Sequence, residues 1–181
     1  LKISNNNKKL EIFSIYNIGQ SEKLNEFKFV KRSLFKFKVR DFDIIIGSSV
    51  VQNNALSESD YMNFLNSYQG DKLNTLYIPH RNESSNQLKK VVELGFIISN
   101  LNLPIELSIL NGIGIRSVYS ICSSAIINLD ILYSNMIINL FLFGNSWSKS
   151  KMGNKMKNIE LNYEVMINQG KFKNTVNLMQ Y

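Results

Sequence analysis

The chain has 181 residues, of which 44% are hydrophobic, and it carries a formal net charge of +7. This length supports one domain with a sizeable core and excludes two ordinary domains. A single cysteine excludes an internal disulfide bond and fits a reducing compartment. The positive charge favours an anionic partner such as nucleic acid, anionic lipid or a phosphorylated small molecule.

The predicted elements alternate between strands and helices along the chain. Apolar runs rich in β-branched residues predict strands at 10–15, 43–47, 76–79, 96–98, 117–121 and 137–143. Serine caps and helical spacing of apolar residues predict helices at 58–68, from Ser84 or Ser85 to 94, from Ser123 to 132, and at 154–168, with a short helix starting at Pro104. This order predicts an α/β fold, a Rossmann-like parallel sheet with helices on both faces.

We treat 1–181 as a single domain in which 1–9 and 171–181 are expected to be peripheral. The first residue is Leu1, which indicates a part of a longer protein. No N-terminal segment has the pattern of a signal peptide, and the most apolar run, 136–143, is much shorter than the roughly 20 residues of a membrane span. We therefore expect a cytoplasmic protein.

Polar residues follow three of the predicted strands, where ligands bind in parallel sheets. His80, the only histidine, can donate a proton or bind phosphate, although a surface histidine without a role is the alternative. Ser123 and Ser124 offer hydroxyls to a phosphate oxygen, or serve as an ordinary helix cap and its neighbour. Glu106 can accept hydrogen bonds from sugar hydroxyls, or act as a first-turn helix acid. We expect all of them to face one crevice.

These motifs make the chain resemble bacterial two-domain GT-B sialyltransferases, in particular the lipooligosaccharide sialyltransferase family and the related capsule polysialyltransferases. The resemblance rests on three segments, 77–83, 103–106 and 123–125, with 26 positions from His80 to Glu106 and 17 from Glu106 to Ser123. It implies the C-terminal half of a GT-B glycosyltransferase that binds CMP-sialic acid. The enzyme would transfer sialic acid to a galactose-type or sialyl acceptor on lipooligosaccharide or capsule.

The resemblance also implies roles for individual residues. His80 would contact the donor phosphate and assist the departure of CMP, Glu106 would hold the ribose, and Ser123 and Ser124 would bind the phosphate. Arg81 stands where the wider group has proline, and it either adds an anion contact or points to solvent.

The catalytic base is the second departure from the family pattern. The nearest acids are Glu58 and Asp60, for which helix capping is the alternative role. If neither serves, the base lies in an N-terminal half or the protein is inactive.

No metal or other cofactor is expected, because the resembled family is metal-independent and one histidine with one cysteine argues against zinc. Asp41 and Asp43 form an acid-x-acid pattern, which we interpret as a solvated strand entry.

A different class remains open, namely a non-catalytic α/β module that binds an anionic ligand or nucleic acid. Dispersed basic residues make nucleic acid the less expected partner. Trp147 among lysines in 145–157 suggests peripheral attachment to an anionic inner membrane, with a solvated basic loop as the alternative. A homodimer is also compatible with the sequence.

Overall fold

A computed structural model describes residues 11–14, 26–29, 42–99, 105, 115–121, 123–133 and 135–181. Several residues discussed above lie outside this part of the chain, among them Leu1, Asp41, Pro104, Glu106 and the single cysteine, Cys122. The prediction for Glu106 and that for a helix starting at Pro104 therefore fall outside the described residues.

The described strands are β1 (Glu11–Ser14), β2 (Glu26–Phe29), β3 (Phe42–Ile46), β4 (Thr75–Ile78), β5 (Ile97–Ile98), β6 (Ile115–Ser120), β7 (Ile137–Leu142) and β8 (Thr175–Gln180). The α-helices are α1 (Glu58–Asn66), α2 (Ser85–Glu93), α3 (Ser124–Leu132) and α4 (Lys151–Asn168). Single turns of 3-10 helix occupy Lys72–Asn74 and Gly144–Ser146. Strands β1 and β2 pair with each other, whereas the other six form one sheet.

All neighbouring strands of the six-stranded sheet run parallel, in the order β5-β4-β3-β6-β7-β8. Ile45 and Tyr77 lie on one face, where they pack with α1 and α2 side chains such as Phe64. Ile44 and Val118 lie on the other face and pack with α3 and α4 side chains. Because each face is covered by helices, the strands are apolar on both sides, which explains their continuous β-branched runs. The predicted α/β fold class is confirmed.

Helix boundaries follow their serine caps. The Ser57 and Ser84 hydroxyls accept the backbone N–H groups of Asp60 and Gln87, so α1 and α2 begin where the sequence predicts. Helix α4 begins at Lys151, three residues before the predicted start, because Ser150 caps it by accepting the N–H of Gly153. Among the described residues, no helix is both long and apolar enough to cross a bilayer.

The C-terminal segment, which the sequence indicates as peripheral, contains a strand at the edge of the sheet. Residues Thr175–Gln180 form strand β8, which pairs with β7 over six residues. Asp130, at the end of α3, fixes the approach to this strand. Its buried carboxylate accepts the backbone N–H groups of Lys173 and Asn174 at 3.1 and 2.8 Å, and the Asn174 side-chain amide at 2.8 Å.

We expect Asp130→Ala to destabilise the protein by about 3 kcal/mol, because hydrogen bonds to a charged group contribute about 1.5–3 kcal/mol each and the donors are partly exposed to water. The loss should appear as faster amide exchange in β8 and as a lower urea midpoint. Glu93→Ala, at an exposed position of α2, is the control and should change neither. Unchanged protection of β8 in Asp130→Ala would show that strand pairing alone holds the C-terminus.

Candidate functional site at the carboxyl ends of the strands

The strand order places a topological switch point between β3 and β6. If the six strands are renumbered so that β3 is the first, their order in the sheet is 3-2-1-4-5-6, the order of doubly wound nucleotide-binding folds. In these folds the connections run in opposite directions from the central pair of strands. Ligands of such sheets bind in the crevice outside the carboxyl ends at this point. A ligand site is therefore expected at the segments that follow Ile46 and Ser120.

A cavity of about 180 Å³ lies at this switch point. Its walls come from the segments that follow β3, β4 and β6 and from the first turns of α4. The lining residues are Gly47, Ser48, Ser49, Val50, Asn53, Ala55, His80, Ile121, Ser123, Met152 and Met156. His80 and Ser123, two of the residues singled out in the sequence, thus line the same cavity.

Gly47 allows the segments after β3 and β4 to approach each other. Its N–H donates to the carbonyl of Ile78 at 2.8 Å. A Cβ at this position would lie 2.9 Å from both the Ile78 carbonyl oxygen and the His80 backbone nitrogen, and it would collide with the Glu83 carboxyl. Because real side chains do not approach backbone so closely, any larger residue here would push the His80 segment away from β3.

The imidazole of His80 is oriented by its own turn. Its Nδ1 accepts the backbone N–H of Asn82 at 3.2 Å, so the neutral ring carries its proton on Nε2. Burial lowers the pKa of His80, and the neighbouring Arg81 lowers it further. At neutral pH the ring is therefore uncharged, with one N–H available to a ligand.

Ser123 caps α3 and also lines the cavity. Its hydroxyl accepts the backbone N–H of Ala125 at 3.3 Å, and its carbonyl accepts the Tyr163 hydroxyl at 2.8 Å. Among the described residues, no group accepts the proton of this hydroxyl, which can therefore be donated to an anion. Ser124 and Arg81 are exposed and do not line the cavity, so the predicted shared role of the two serines is not reflected in their positions.

The two acids considered for the base lie away from the cavity. Glu58 forms an ion pair with Lys90 at 2.7 Å and lines a separate depression beside α2. Asp60 accepts the Ser57 hydroxyl at 2.6 Å and donates its own N–H to the same oxygen at 3.0 Å. Asp60 therefore has the helix-capping role that the sequence offered as the alternative, whereas Glu58 pairs with a lysine of α2.

Glu83 ends the segment 77–83, and no role could be assigned to it from the sequence pattern. Both of its carboxylate oxygens lie 2.9 Å from the Tyr77 hydroxyl, and that hydroxyl is 2.8 Å from the Tyr61 hydroxyl. Burial raises the pKa of Glu83 to about 7, against the opposing effect of hydrogen bonds from Tyr77 and from the N–H groups of His80 and Ser48. Burial also raises the pKa values of both tyrosines, so they stay neutral.

A wider groove adjoins the cavity and shares Asn53 and Met152 with it. It measures about 750 Å³ and is lined by Asn53, Asn54, Ser150, Lys151, Met152, Asn154, Lys155 and Asn158. The Asn54 carbonyl accepts the hydroxyls of Ser148 and Ser150, which ties the segment after β3 to the start of α4. The walls of this groove are therefore held together and carry amides and ammonium groups.

Trp147 does not serve as a membrane anchor in this structure. Its side chain is 6% exposed, and its indole N–H donates to the buried Glu160 carboxylate at 2.6 Å. The same carboxylate also accepts the N–H of Gly144. The prediction that Trp147 lies at lipid headgroups is wrong, because this ring secures the segment after β7 to α4.

The acid-x-acid pattern has a structural role at Asp43. Its buried carboxylate accepts two hydrogen bonds from the Arg116 guanidinium, at 3.0 and 2.9 Å, and one from the Tyr68 hydroxyl at 2.8 Å. In the part of the chain that the structure describes, no group of three or more histidine, cysteine or acidic side chains is placed to hold a metal ion.

Comparisons of the chain with models of protein families, with curated protein sequences and with solved structures find no match. The class defined by the fold is an α/β protein with a six-stranded parallel sheet, and a cavity lies at its switch point. The family resemblance in the sequence stays a prediction.

Proposed function

We propose that this chain is the nucleotide-sugar-binding half of a GT-B sialyltransferase, and that the cavity at the switch point binds the phosphate of CMP-sialic acid. The observation that carries the proposal is the placement of His80 and Ser123 on one cavity at the switch point. The family resemblance links these two residues to the donor phosphate. The reaction transfers sialic acid to a galactose-type or sialyl acceptor.

The size and chemistry of the cavity support an anionic ligand end. Its volume of about 180 Å³ is smaller than the roughly 300–1,000 Å³ of typical ligand sites, so it matches a phosphate and the adjoining atoms. His80 offers the Nε2–H, and Ser123 offers a hydroxyl at the N-terminus of α3, where the helix dipole favours negative charge. In the described part of the chain, no carboxylate lines the cavity to oppose the anion.

His80 has the chemistry to assist departure of CMP. As the bond between the anomeric carbon and the phosphate oxygen breaks, that oxygen keeps the electron pair and gains negative charge. An N–H donor aimed at it from a preorganised ring becomes a stronger partner in the transition state than in the ground state. The Asn82 N–H holds the ring in the required tautomer.

The other half of the reaction needs a base. The acceptor hydroxyl oxygen forms the new bond to the anomeric carbon, and its proton passes to a group that the described cavity lining does not supply. Glu58 pairs with Lys90, Asp60 contacts the helix cap Ser57, and neither lines the cavity. In this proposal the base belongs to residues outside the described lining.

The lack of a carboxylate in that lining favours one alternative, a non-catalytic module that binds the same anionic ligands. The amide and ammonium groups of the adjoining groove suit an anionic, hydroxyl-rich ligand in either case. Release of CMP from CMP-sialic acid by the full-length protein that contains this half, with and without a galactose-terminated acceptor, separates the two. Acceptor-dependent release supports the transferase, and binding of CMP without any release supports the module.

Calorimetric titration with CMP tests the proposed site through Ser123→Ala. Loss of a hydroxyl donor to a charged phosphate should weaken binding by about 1.5–3 kcal/mol. Ser124→Ala, one residue away and exposed, is the matched control and should leave the affinity unchanged. Ser84→Ala removes a helix cap outside the cavity and controls for the loss of about 1 kcal/mol of stability. Equal affinity for CMP in wild type and Ser123→Ala would contradict the proposed site.

A further inference from the structure

A chain of hydrogen bonds runs beneath the cavity and ends at Glu83. The N–H of Ser48, after β3, donates to the Tyr61 hydroxyl on α1 at 3.3 Å. The Tyr61 and Tyr77 hydroxyls are 2.8 Å apart, and the Tyr77 hydroxyl donates to the Glu83 carboxylate. At the other end, Glu83 donates its own N–H to the His80 carbonyl at 2.9 Å. The chain therefore connects two residues of the cavity wall, Ser48 and His80.

The direction of these hydrogen bonds depends on the ionisation of Glu83. A tyrosine hydroxyl has one proton to donate. With Glu83 ionised, the Tyr77 proton goes to the carboxylate, the Tyr61 proton goes to Tyr77, and the Ser48 N–H goes to Tyr61, so every donor has an acceptor. If Glu83 were protonated and donated to the Tyr77 hydroxyl instead, Tyr77 would donate to Tyr61. The Tyr61 proton would then point towards the Ser48 N–H, and one of these two donors would lack an acceptor. In a buried network, such an unmatched donor is costly.

We propose that Glu83 is a positioning residue of the switch-point cavity, whose carboxylate completes this chain and thereby holds Ser48 and His80 in the arrangement that binds the donor phosphate. The proposal rests on the proposed function for the identity of the ligand. The groups that face Glu83 are the Tyr77 hydroxyl from β4, with the Tyr61 hydroxyl behind it on α1, and the backbone N–H groups of Ser48 and His80. All of these are donors, which suits an acceptor-only side chain.

Glu83→Gln is the informative change because it keeps the shape but turns half of the acceptor into an NH₂ donor. That NH₂ group must face the N–H of His80 or Ser48, or the Tyr77 hydroxyl. Tyr77→Phe interrupts the same chain one step earlier and leaves Glu83 intact. Glu58→Gln is the matched control, since Glu58 is an acid paired with Lys90 away from the cavity.

The first measurement needs no ligand. Because His80 is the only histidine, its ring gives an unambiguous set of ¹⁵N NMR signals. At a pH well above 7, where Glu83 is ionised in the folded protein, we expect wild type and Glu58→Gln to show the tautomer with the proton on Nε2. Glu83→Gln and Tyr77→Phe should show a mixture of tautomers, because the Asn82 N–H is no longer held against Nδ1. An unchanged His80 spectrum in both variants would overturn the proposal, whether or not CMP binds.

The second measurement is the affinity for CMP, with cytidine as the probe that lacks the phosphate. Affinity for CMP should fall at least about 10-fold in Glu83→Gln, the lower end of what losing a group that orients a ligating side chain costs at metal sites. Affinity for cytidine should change much less. A changed His80 spectrum in a protein whose wild type does not bind CMP would overturn the proposed function and leave Glu83 as a positioning residue. Equal loss for CMP and cytidine would overturn the role in seating the phosphate.

Discussion

Replacement of His80 with alanine is expected to lower turnover of CMP-sialic acid by about 10²–10⁴-fold, the usual contribution of a positioned proton donor. The reason is the fixed tautomer, since Nδ1 is occupied by the Asn82 N–H and only Nε2–H can meet the leaving phosphate. CMP should still bind measurably, because Ser123 and the N-terminus of α3 remain. The measurement is the rate of CMP release with an acceptor, alongside calorimetric titration with CMP.

Two further variants identify the group responsible. His80→Gln keeps an N–H donor of similar reach and should retain more turnover than His80→Ala, although its amide is not held by the Asn82 N–H in the same way. Arg81→Ala changes the adjacent exposed cation and should have a small effect, since Arg81 does not line the cavity. Turnover that survives in His80→Ala and falls in Arg81→Ala would assign the anion contact to the guanidinium instead.

The sheet could be predicted from the sequence because its signals are local. The run at 43–47 is continuous and β-branched since β3 is covered on both faces, and the serine caps of α1 and α2 satisfy backbone N–H groups within one turn. Gly95 and Gly170 end their helices with positive φ values of 95° and 63°. Each of these features is decided within a few residues, so a single sequence reveals it.

Strand β8 could not be predicted in the same way. Its six residues, TVNLMQ, contain no continuous apolar run and no strict alternation. The position of the strand depends on pairing with β7 and on the Asp130 carboxylate, 43 and 44 positions before the N–H groups that it accepts. The burial of Trp147 could not be predicted for a related reason. Its neighbours in sequence are lysines and serines, but its partner is Glu160, on a later helix. Contacts over such separations leave no local pattern.

The candidate site was predictable where it depends on topology and not where it depends on packing. His80 and Ser123 follow strands of a parallel sheet, and the carboxyl ends of those strands meet on one side, so a shared cavity follows from the strand pattern. Glu83 had no role that the sequence pattern could assign. Its actual role depends on two tyrosines, 6 and 22 positions away, whose hydroxyls meet only after α1 packs on the sheet. The sequence pattern also made Glu58 and Asp60 candidates for the base, but in the structure Glu58 pairs with Lys90 and Asp60 with Ser57.

Glu83 also makes the stability of the protein depend on pH. Burial raises its pKa from 4.5 to about 7, so between these values the folded state binds a proton that the unfolded state has released. The stabilisation is fully present below about pH 4.5 and is lost as the pH rises through 7. At about 1.4 kcal/mol for each pKa unit, the unfolding free energy should fall by up to about 3 kcal/mol across this window. His80 acts in the opposite direction, because its lowered pKa makes acidification below its ordinary value destabilising.

Comparison of wild type with Glu83→Gln isolates the contribution of this carboxyl, since His80 and all other titrating groups are common to both proteins. Urea unfolding at intervals between pH 4.5 and 8 should show wild type losing stability relative to Glu83→Gln as the pH rises. The difference between the two curves should bend near pH 7, where the folded carboxyl ionises. The chain of hydrogen bonds from Ser48 to Glu83 has an acceptor for every donor only above this pH, where Glu83 is ionised. The ordered cavity wall therefore forms at a pH at which the free energy of unfolding is lower. Parallel curves for the two proteins would mean that Glu83 is already ionised throughout this range, and the pH dependence of the fold would then have to come from other groups.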